Sequence, residues 1–252
     1  MRAGTAPHLR RLGVPGLRVG HAAAPDGSTG VSVVLFSPPA SVVVDVRGGA
    51  SCTYDTASLA VDATFGRRWA IFFAGGSVHG LDAGRGVRTA LLSAGGGYRP
   101  FRNPNRVVPV SGATLFDLPS EEGPIPDYLP LGFEAVRAAR SDHVAVGRVG
   151  AGSGATVGKY LGRDRAMPGG LGYAAGPVRG LGAVGALVVL NSVGAVRDAA
   201  TGRWLAGARG DRGGPTARRS SPGARRRGWS TPRRRPRGDP RRSSRQRHRA
   251  PP

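Results

Sequence analysis

Lys159 draws attention on chemical grounds. The 252-residue chain carries 37 basic side chains, and Lys159 is the only lysine among them. Arginine stays protonated in proteins, whereas a desolvated lysine can be tuned towards neutral pH and exchange a proton. Lys159 closes a glycine-rich run, Gly150-Ala-Gly152-Ser-Gly154-Ala-Thr-Val-Gly158-Lys159, placed after an apolar segment. The second candidate is Asn191, at the end of the apolar run Val188-Val-Leu190. A side-chain amide in that place can orient a carbonyl or stabilise an oxyanion. Each residue also has an ordinary reading, as a surface lysine and as an asparagine capping the turn before Gly194.

The familiar motifs fail around these two residues. A phosphate-binding loop needs glycine at position 153 and Ser or Thr after the lysine, but Ser153 and Tyr160 stand there. The dinucleotide pattern survives in part as Gly150-x-Gly152-x-x-Ala155. Gly158 and Gly162 then spoil the helix it requires, and no acid falls at the ribose distance. The five histidines, His8, His21, His79, His143 and His248, show no ligand spacing, so no metal and no cofactor is expected. The single cysteine, Cys52, excludes an intrachain disulfide framework.

The elements that must position Lys159 and Asn191 lie before residue 210. Short Val-rich runs bounded by Gly, Pro, Asp or Ser predict strands at Val31–Phe36, Val42–Val46, Trp69–Ala74, Val107–Val110, Val144–Val149 and Val184–Leu190. Apolar residues at helical spacing predict helices over Gly80–Ala94 and Leu131–Arg140. The small residues Ala83, Gly84 and Gly86 mark a helix packed closely on a sheet. Strands and helices intermix, so the class is α/β or α+β, and no internal repeat is present.

Composition changes near Gly210, which separates an expected domain, residues 1–210, from a tail, residues 211–252. The tail carries fifteen arginines and two aspartates and accounts for +13 of the net charge of +22. It lacks Val, Ile, Leu, Phe, Met and Tyr, so an ordered core is not expected there. Clustered arginine can neutralise phosphate and bind nucleic acid, although Trp229 is the tail's one aromatic residue. A solvated tail and a segment translated out of frame are the other readings. Residues 1–20 contain no apolar run of secretory-signal length and no later run spans a membrane, so a cytoplasmic protein is expected.

Several motifs in order resemble one family. These are Val14-Pro15-Gly16-Leu17-Arg18-Val19-Gly20-His21, Val44-Asp45-Val46-Arg47-Gly48-Gly49-Ala50, and Ala74-Gly75-Gly76-Ser77 with Gly80-Leu81-Asp82-Ala83. Arg148 to Gly152, Gly158-Lys159, Gly169 to Gly172, and Val184 to Asn191 continue the match. Together they resemble the L-aminopeptidase/D-esterase (DmpA-type) family, which includes nylon-oligomer hydrolases and β-aminopeptidases. The resemblance implies a four-layer αββα sandwich and a self-processing hydrolase of peptide or small amide substrates, with homo-oligomers common. Such a precursor cuts itself before a Ser or Thr, whose freed amine then serves as base for its own hydroxyl.

By this resemblance Lys159 and Asn191 occupy catalytic positions. Gly75, Gly76 and Ser77 fall at the substrate, and Phe116 stands where members carry a tyrosine. The family's nucleophile lies beyond the stretch matching Asn191 to Gly207, where this chain has its Arg/Pro tail. None of Thr216, Ser220, Ser221, Ser230, Thr231, Ser243 and Ser244 opens an apolar strand. The expectation is therefore an incomplete sandwich and an inactive polypeptide.

Overall fold

The computed structural model describes residues 7–63, 66–119, 123–180 and 182–210. The composition boundary at Gly210 and the expectations for the tail lie outside the described residues. In chain order the strands are β1 (His8–Arg11), β2 (Leu17–Ala23), β3 (Gly30–Ser41), β4 (Thr53–Tyr54), β5 (Arg67–Ala74), β6 (Val110–Thr114) and β7 (His143–Val146). They continue with β8 (Thr156–Val157), β9 (Met167–Pro168), β10 (Gly170–Val178), β11 (Gly182–Leu190), β12 (Val196–Arg197) and β13 (Trp204–Ala206). Helix α1 (Ala83–Ser93) separates β5 from β6, and α2 (Tyr128–Arg137) precedes β7. The mixture of sheets and few helices is an α+β arrangement.

The principal sheet has five strands in the order β2-β3-β5-β6-β4. Only β5 and β6 run parallel, with Ala70 opposite Val110 and Ala74 opposite Thr114. Their connection contains α1, as a parallel crossover requires. Alternation along β3 sends Val31, Val33 and Leu35 into the core shared with α1 and α2, while Val34 packs into a second cluster around Leu12, Val19, Val144 and Leu171. No α-helix contributes to that second cluster among the described residues. It is built on β7 and the β10–β11 hairpin, which meet at an antiparallel bridge between Gly147 and Leu171.

The two helices approach closely because small residues face one another. A side chain at Gly86 would collide with the α2 backbone at Leu129 and Phe133, and one at Gly132 with the α1 backbone at Ala83. Helix α2 starts at Tyr128, earlier than its apolar periodicity predicts, because the Asp127 carboxylate accepts from the Leu129 N–H at 3.0 Å. Similarly, α1 begins at Ala83 rather than Gly80, after a 3-10 turn over Ser77–Asp82.

Several expected strands are redrawn. Val42–Val46 forms no ladder; β3 ends at Ser41 opposite Arg67, the first residue of β5, so the next residues have no strand beside them. Val43 is 86% exposed there. β-Branching makes a run competent for a strand, but a ladder needs a neighbour. Of Val107–Val110 only Val110 enters β6, and β7 stops at Val146, where Gly147 takes φ of 105°. The predicted strand Val184–Leu190 exists as part of β11 and pairs with β10 alone among the described residues. Two strands, β2 and β10, sit where the sequence reads as glycine-rich motif.

His21 on β2 shares a hydrogen bond of 2.9 Å between its Nδ1 and the Ser32 hydroxyl, and Ser32 Oγ accepts from the Ala151 N–H at 3.0 Å. Its Nε2 is buried without a partner at hydrogen-bond distance among the described residues. Burial lowers the His21 pKa from 6.5 to about 4, against a weaker opposing effect of the Ala145 backbone. Arg140, Asp142 and His143 line the same cavity.

Two outcomes are expected. Gly86→Val should destabilise the fold by about 2–3 kcal/mol, read from urea midpoints, because no flexible side chain is available to yield. A neutral buried histidine means that the unfolded chain binds the extra proton, so stability present above pH 6.5 is lost as pH falls towards 4. That loss amounts to about 3 kcal/mol in total. An imidazole titration of His21 near 6.5, followed by NMR, would contradict this assignment.

Candidate active site

Four segments meet at the end of β6. Beyond Thr114 the chain runs through Leu115, Phe116 and Asp117. The Leu115 carbonyl accepts from Ser77 N–H at 2.8 Å, the Phe116 carbonyl from Asn191 Nδ2 at 3.1 Å, and Asp117 Oδ1 from Gly76 N–H at 2.6 Å. The loop Gly75-Gly76-Ser77 thus lies against β6 on one side, and the end of β11 lies against it on the other. Gly76 and Ser77 adopt φ of 78° and 55°, and a side chain at Gly76 would strike the Tyr128 ring. Glycine is therefore demanded at 76, while the left-handed Ser77 is a strained position for a residue with a Cβ.

Lys159 reaches this place from the turn after β8. Gly158, with φ of 80°, turns the chain and donates to the Gly194 carbonyl at 3.0 Å. Lys159 Nζ then donates to the Thr156 carbonyl at 2.6 Å, to Thr156 Oγ1 at 3.2 Å and to Asn191 Oδ1 at 2.9 Å. Asn191 Oδ1 also accepts from the Thr156 N–H at 3.0 Å. Oxygen and nitrogen of the amide are therefore told apart by their partners: the oxygen faces two donors and the nitrogen faces a carbonyl.

Three acceptors for three ammonium hydrogens suit a charged lysine. Burial pulls the Lys159 pKa below its ordinary value, Arg163 lowers it further, and Asp117 works the other way. The geometry changes what the sequence reading emphasised. With its hydrogens all engaged, Lys159 is placed to orient Asn191 rather than to collect protons. One Nδ2 hydrogen of Asn191 holds Phe116, and the other can meet a developing oxyanion.

All six candidate residues thus fall in one neighbourhood, joined mainly through backbone. Phe116 takes part by its carbonyl; the residue is 60% exposed, with the Arg163 guanidinium 5.2 Å from its ring centroid. Sequence reasoning missed Asp117, Thr29 and Tyr128. Thr29 Oγ1 donates to Asp117 Oδ2 at 2.9 Å and lies 3.0 Å from the Tyr128 hydroxyl. Burial pushes the Asp117 carboxyl above the usual carboxylate range, opposed by Gly76, Thr29 and Arg163. Burial also pushes Tyr128 up to about 12. The available signal for Asp117 was an acid between Phe116 and Leu118, three residues after a Val-Ser-Gly-Ala-Thr strand. Among the described residues no three metal-ligating side chains converge.

The chain returns to the site near its last described residues. A side chain at Gly158 would meet the backbone of Gly207 and Ala208, and Arg209 N–H donates to the Arg165 carbonyl at 2.7 Å. The polypeptide following Asn191 therefore comes back beside Lys159.

Lys159→Met should destabilise the protein by about 2 kcal/mol in urea unfolding, since it strips charged donors from half-buried acceptors. Lys159→Arg should recover little, because a planar guanidinium cannot meet three acceptors around one nitrogen. As the sole lysine, Lys159 gives an unambiguous side-chain NMR signal, which should titrate below the ordinary lysine range. A titration at or above that range would contradict its burial.

Comparison with known proteins places the chain in a family. Residues 12–216 match the model of peptidase family S58. An uncharacterized aminopeptidase of Mycobacterium tuberculosis (strain ATCC 25618 / H37Rv) is 38% identical over 205 residues, covering 77% of this chain and 56% of that protein. The 6-aminohexanoate-oligomer endohydrolases of Kocuria sp. (strain KY2) and Paenarthrobacter ureafaciens are each 33% identical, covering 79% and 78% of this chain and 52% of each relative. The chain spans about half the length of the curated relatives it matches. With the motifs resembling nylon-oligomer hydrolases and aminopeptidases now matched by named relatives of both kinds, the chain belongs to peptidase family S58.

Proposed function

We propose that the described domain is the portion of a serine- or threonine-dependent aminopeptidase or amidase that orients the scissile carbonyl. The observation that carries this reading is the 2.9 Å hydrogen bond from Lys159 to Asn191, with Gly207 and Ala208 returning beside it. In this mechanism Lys159 holds the Asn191 amide in one orientation, and Nδ2 donates to the oxyanion formed when a hydroxyl attacks the amide carbon. The attacking hydroxyl is supplied by a Ser or Thr freed by self-cleavage, its own α-amine accepting the proton. Membership of peptidase family S58 and similarity to 6-aminohexanoate-oligomer endohydrolases support a peptide or small amide as substrate.

The rest of the reading follows from what surrounds the pair. The four-layer sandwich would be completed on the open side of β11, where Val184 and Val188 are 49% and 55% exposed. No helix among the described residues is long and apolar enough to cross a membrane. A cytoplasmic location and homo-oligomers belong to this proposal as well. No nucleophile is assigned: a hydroxyl must be held about 3–3.5 Å from its carbonyl to attack it. Those after Gly210 stand among arginines and prolines rather than at the head of an apolar strand. Nucleic-acid binding by the tail gains no observation from the described residues.

The 252-residue polypeptide is accordingly expected to keep its intact mass over days, apart from loss of Met1, and to leave alanine and β-alanine amides unhydrolysed. A homogeneous new N-terminus at Ser or Thr, abolished by replacing that residue, would instead establish a self-processing enzyme and overturn the inactivity proposed for this polypeptide.

A further inference from the structure

The β10–β11 hairpin has two edges of different character. Gly147 and Leu171 exchange two backbone hydrogen bonds of 2.8 Å, so Leu171 directs its N–H and C=O away from β11. Direction alternates along a strand, so Tyr173, Ala175 and Pro177 turn their backbones the same way. Proline has no N–H to give, and its ring stands where a further strand would pair, which blunts this edge. Leu171 lies opposite Val189, Tyr173 opposite Leu187, Ala175 opposite Gly185 and Pro177 opposite Ala183, which fixes the same alternation on β11. Ala183, Gly185, Leu187 and Val189 therefore present their N–H and C=O groups at the far edge. None of these groups bonds a described residue.

Nothing in the sequence guards the far edge. No charged residue stands between Arg179 and Arg197, and no proline interrupts Gly182–Leu190. Edge strands are ordinarily protected by such residues. Side chains alternate as well. Leu187 and Val189 pack on the second cluster, while Val184, Ala186 and Val188 face outward, with the two valines 49% and 55% exposed. Both the outward valines and the outward backbone groups are disposed equally on either side of Ala186. The edge is therefore complementary to itself, and the net charge of +22 that sets copies of the chain against one another is missing from this stretch.

We infer that β11 pairs with β11 of a second copy of this chain, antiparallel, about a two-fold axis at Ala186. In that register Gly185 meets Leu187 of the second copy and Ala183 meets its Val189, so every outward donor finds an acceptor. The intervening positions set Val184 beside Val188 of the second copy and Ala186 beside Ala186. A slip of one residue would set outward backbone groups against inward ones. A slip of two would leave Ala183 or Val189 opposite a residue outside β11. The contact is isologous and closes at two copies, because Pro177 blunts the other edge of the hairpin. The pairing stands on the hairpin and does not depend on the hydrolase reading. It bears on that reading all the same: β11 ends one residue before Asn191, so a second copy takes the side on which the sandwich would be completed.

The test is sedimentation velocity of the full chain over about a hundredfold range of concentration, with amide exchange read at Ala183, Gly185, Leu187 and Val189. A monomer–dimer equilibrium is expected, tightening as salt screens the net charge, with the four amides gaining protection as the dimer forms. Ala186 is exposed, so a charge there does not enter the core. Ala186→Lys should weaken the dimer about tenfold by setting like charges side by side, as should Ala186→Glu, and an equimolar mixture of the two should restore it. With Cys52→Ser in place, Ala186→Cys should oxidise to a covalent dimer. Val184→Cys should not, because the two copies of that position lie about 13 Å apart in this register, beyond disulfide reach. A monomer at every concentration, growth past the dimer, association indifferent to charge at position 186, or equal cross-linking from 184 and 186 would overturn the inference. So would a monomer whose four edge amides are already protected, since another segment of the same chain would then lie on β11. Should the charged variants fail to melt cooperatively, the cysteine comparison decides.

Discussion

Leu115, Phe116 and Asp117 leave β6 in succession, and each accepts a hydrogen bond from one of two distant parts of the chain. Ser77 and Gly76 come from the loop after β5, and Asn191 comes from the end of β11. The site thus depends on the placement of β6, which is set by its parallel pairing with β5 inside the main core. A slip of one residue would turn every side chain of β6 to the opposite face. It would also offer the loop and Asn191 the wrong acceptors. Register of a central strand is here a condition of the chemistry, beyond its contribution to the fold.

A buried polar group helps to set that register. Arg68, on the core-facing row of β5, is 1% exposed and donates to Ser111 Oγ on β6 at 2.7 Å. Ser111 in turn donates to the Asp55 carbonyl at 2.8 Å, and Arg68 also meets the Asp55 carboxylate at 3.3 Å. A buried guanidinium is destabilising unless its hydrogens are satisfied, and this arrangement satisfies them in only one alignment of β5 with β6. Apolar residues alone would bury comparable surface and tolerate alternatives more readily. The polar cluster near the start of β6 and the acceptors at its end are the two fixed points of one strand.

What the sequence made legible divides along the same physical line. Lys159 and Asn191 could be singled out because their residue types are unusual for their places, and the family motifs gave both positions. The helices were legible because a 3.6-residue period survives in one short segment, with errors confined to caps such as Asp127. Val42–Val46 misled for the opposite reason: its composition is right, but its partner would have to lie before Arg67, a fact stored elsewhere in the chain. Strand β10, with Gly170, Gly172 and Gly176, was hidden by its composition and exists because β11 pairs with it over nine residues. Asp117 was invisible as a site residue because its importance comes from Thr29 and Gly76, 88 and 41 positions away.

The charges around Phe116 and Asp117 complete the physical picture. Lys159 and Arg163 give one side of this junction positive potential, and Asp117 gives the other side its negative group; Arg163 lowers the proton affinity of both Lys159 and Asp117, and Asp117 raises that of Lys159. Opposite charges therefore stand on either side of one peptide link, with Lys159 bound to Asn191 on one side and Asp117 held by Thr29 and Gly76 on the other. The backbone between them is fixed by Asn191 itself, which donates to the Phe116 carbonyl. Both charged groups are thus positioned by one short stretch of chain leaving β6, and neither could move without disturbing the other.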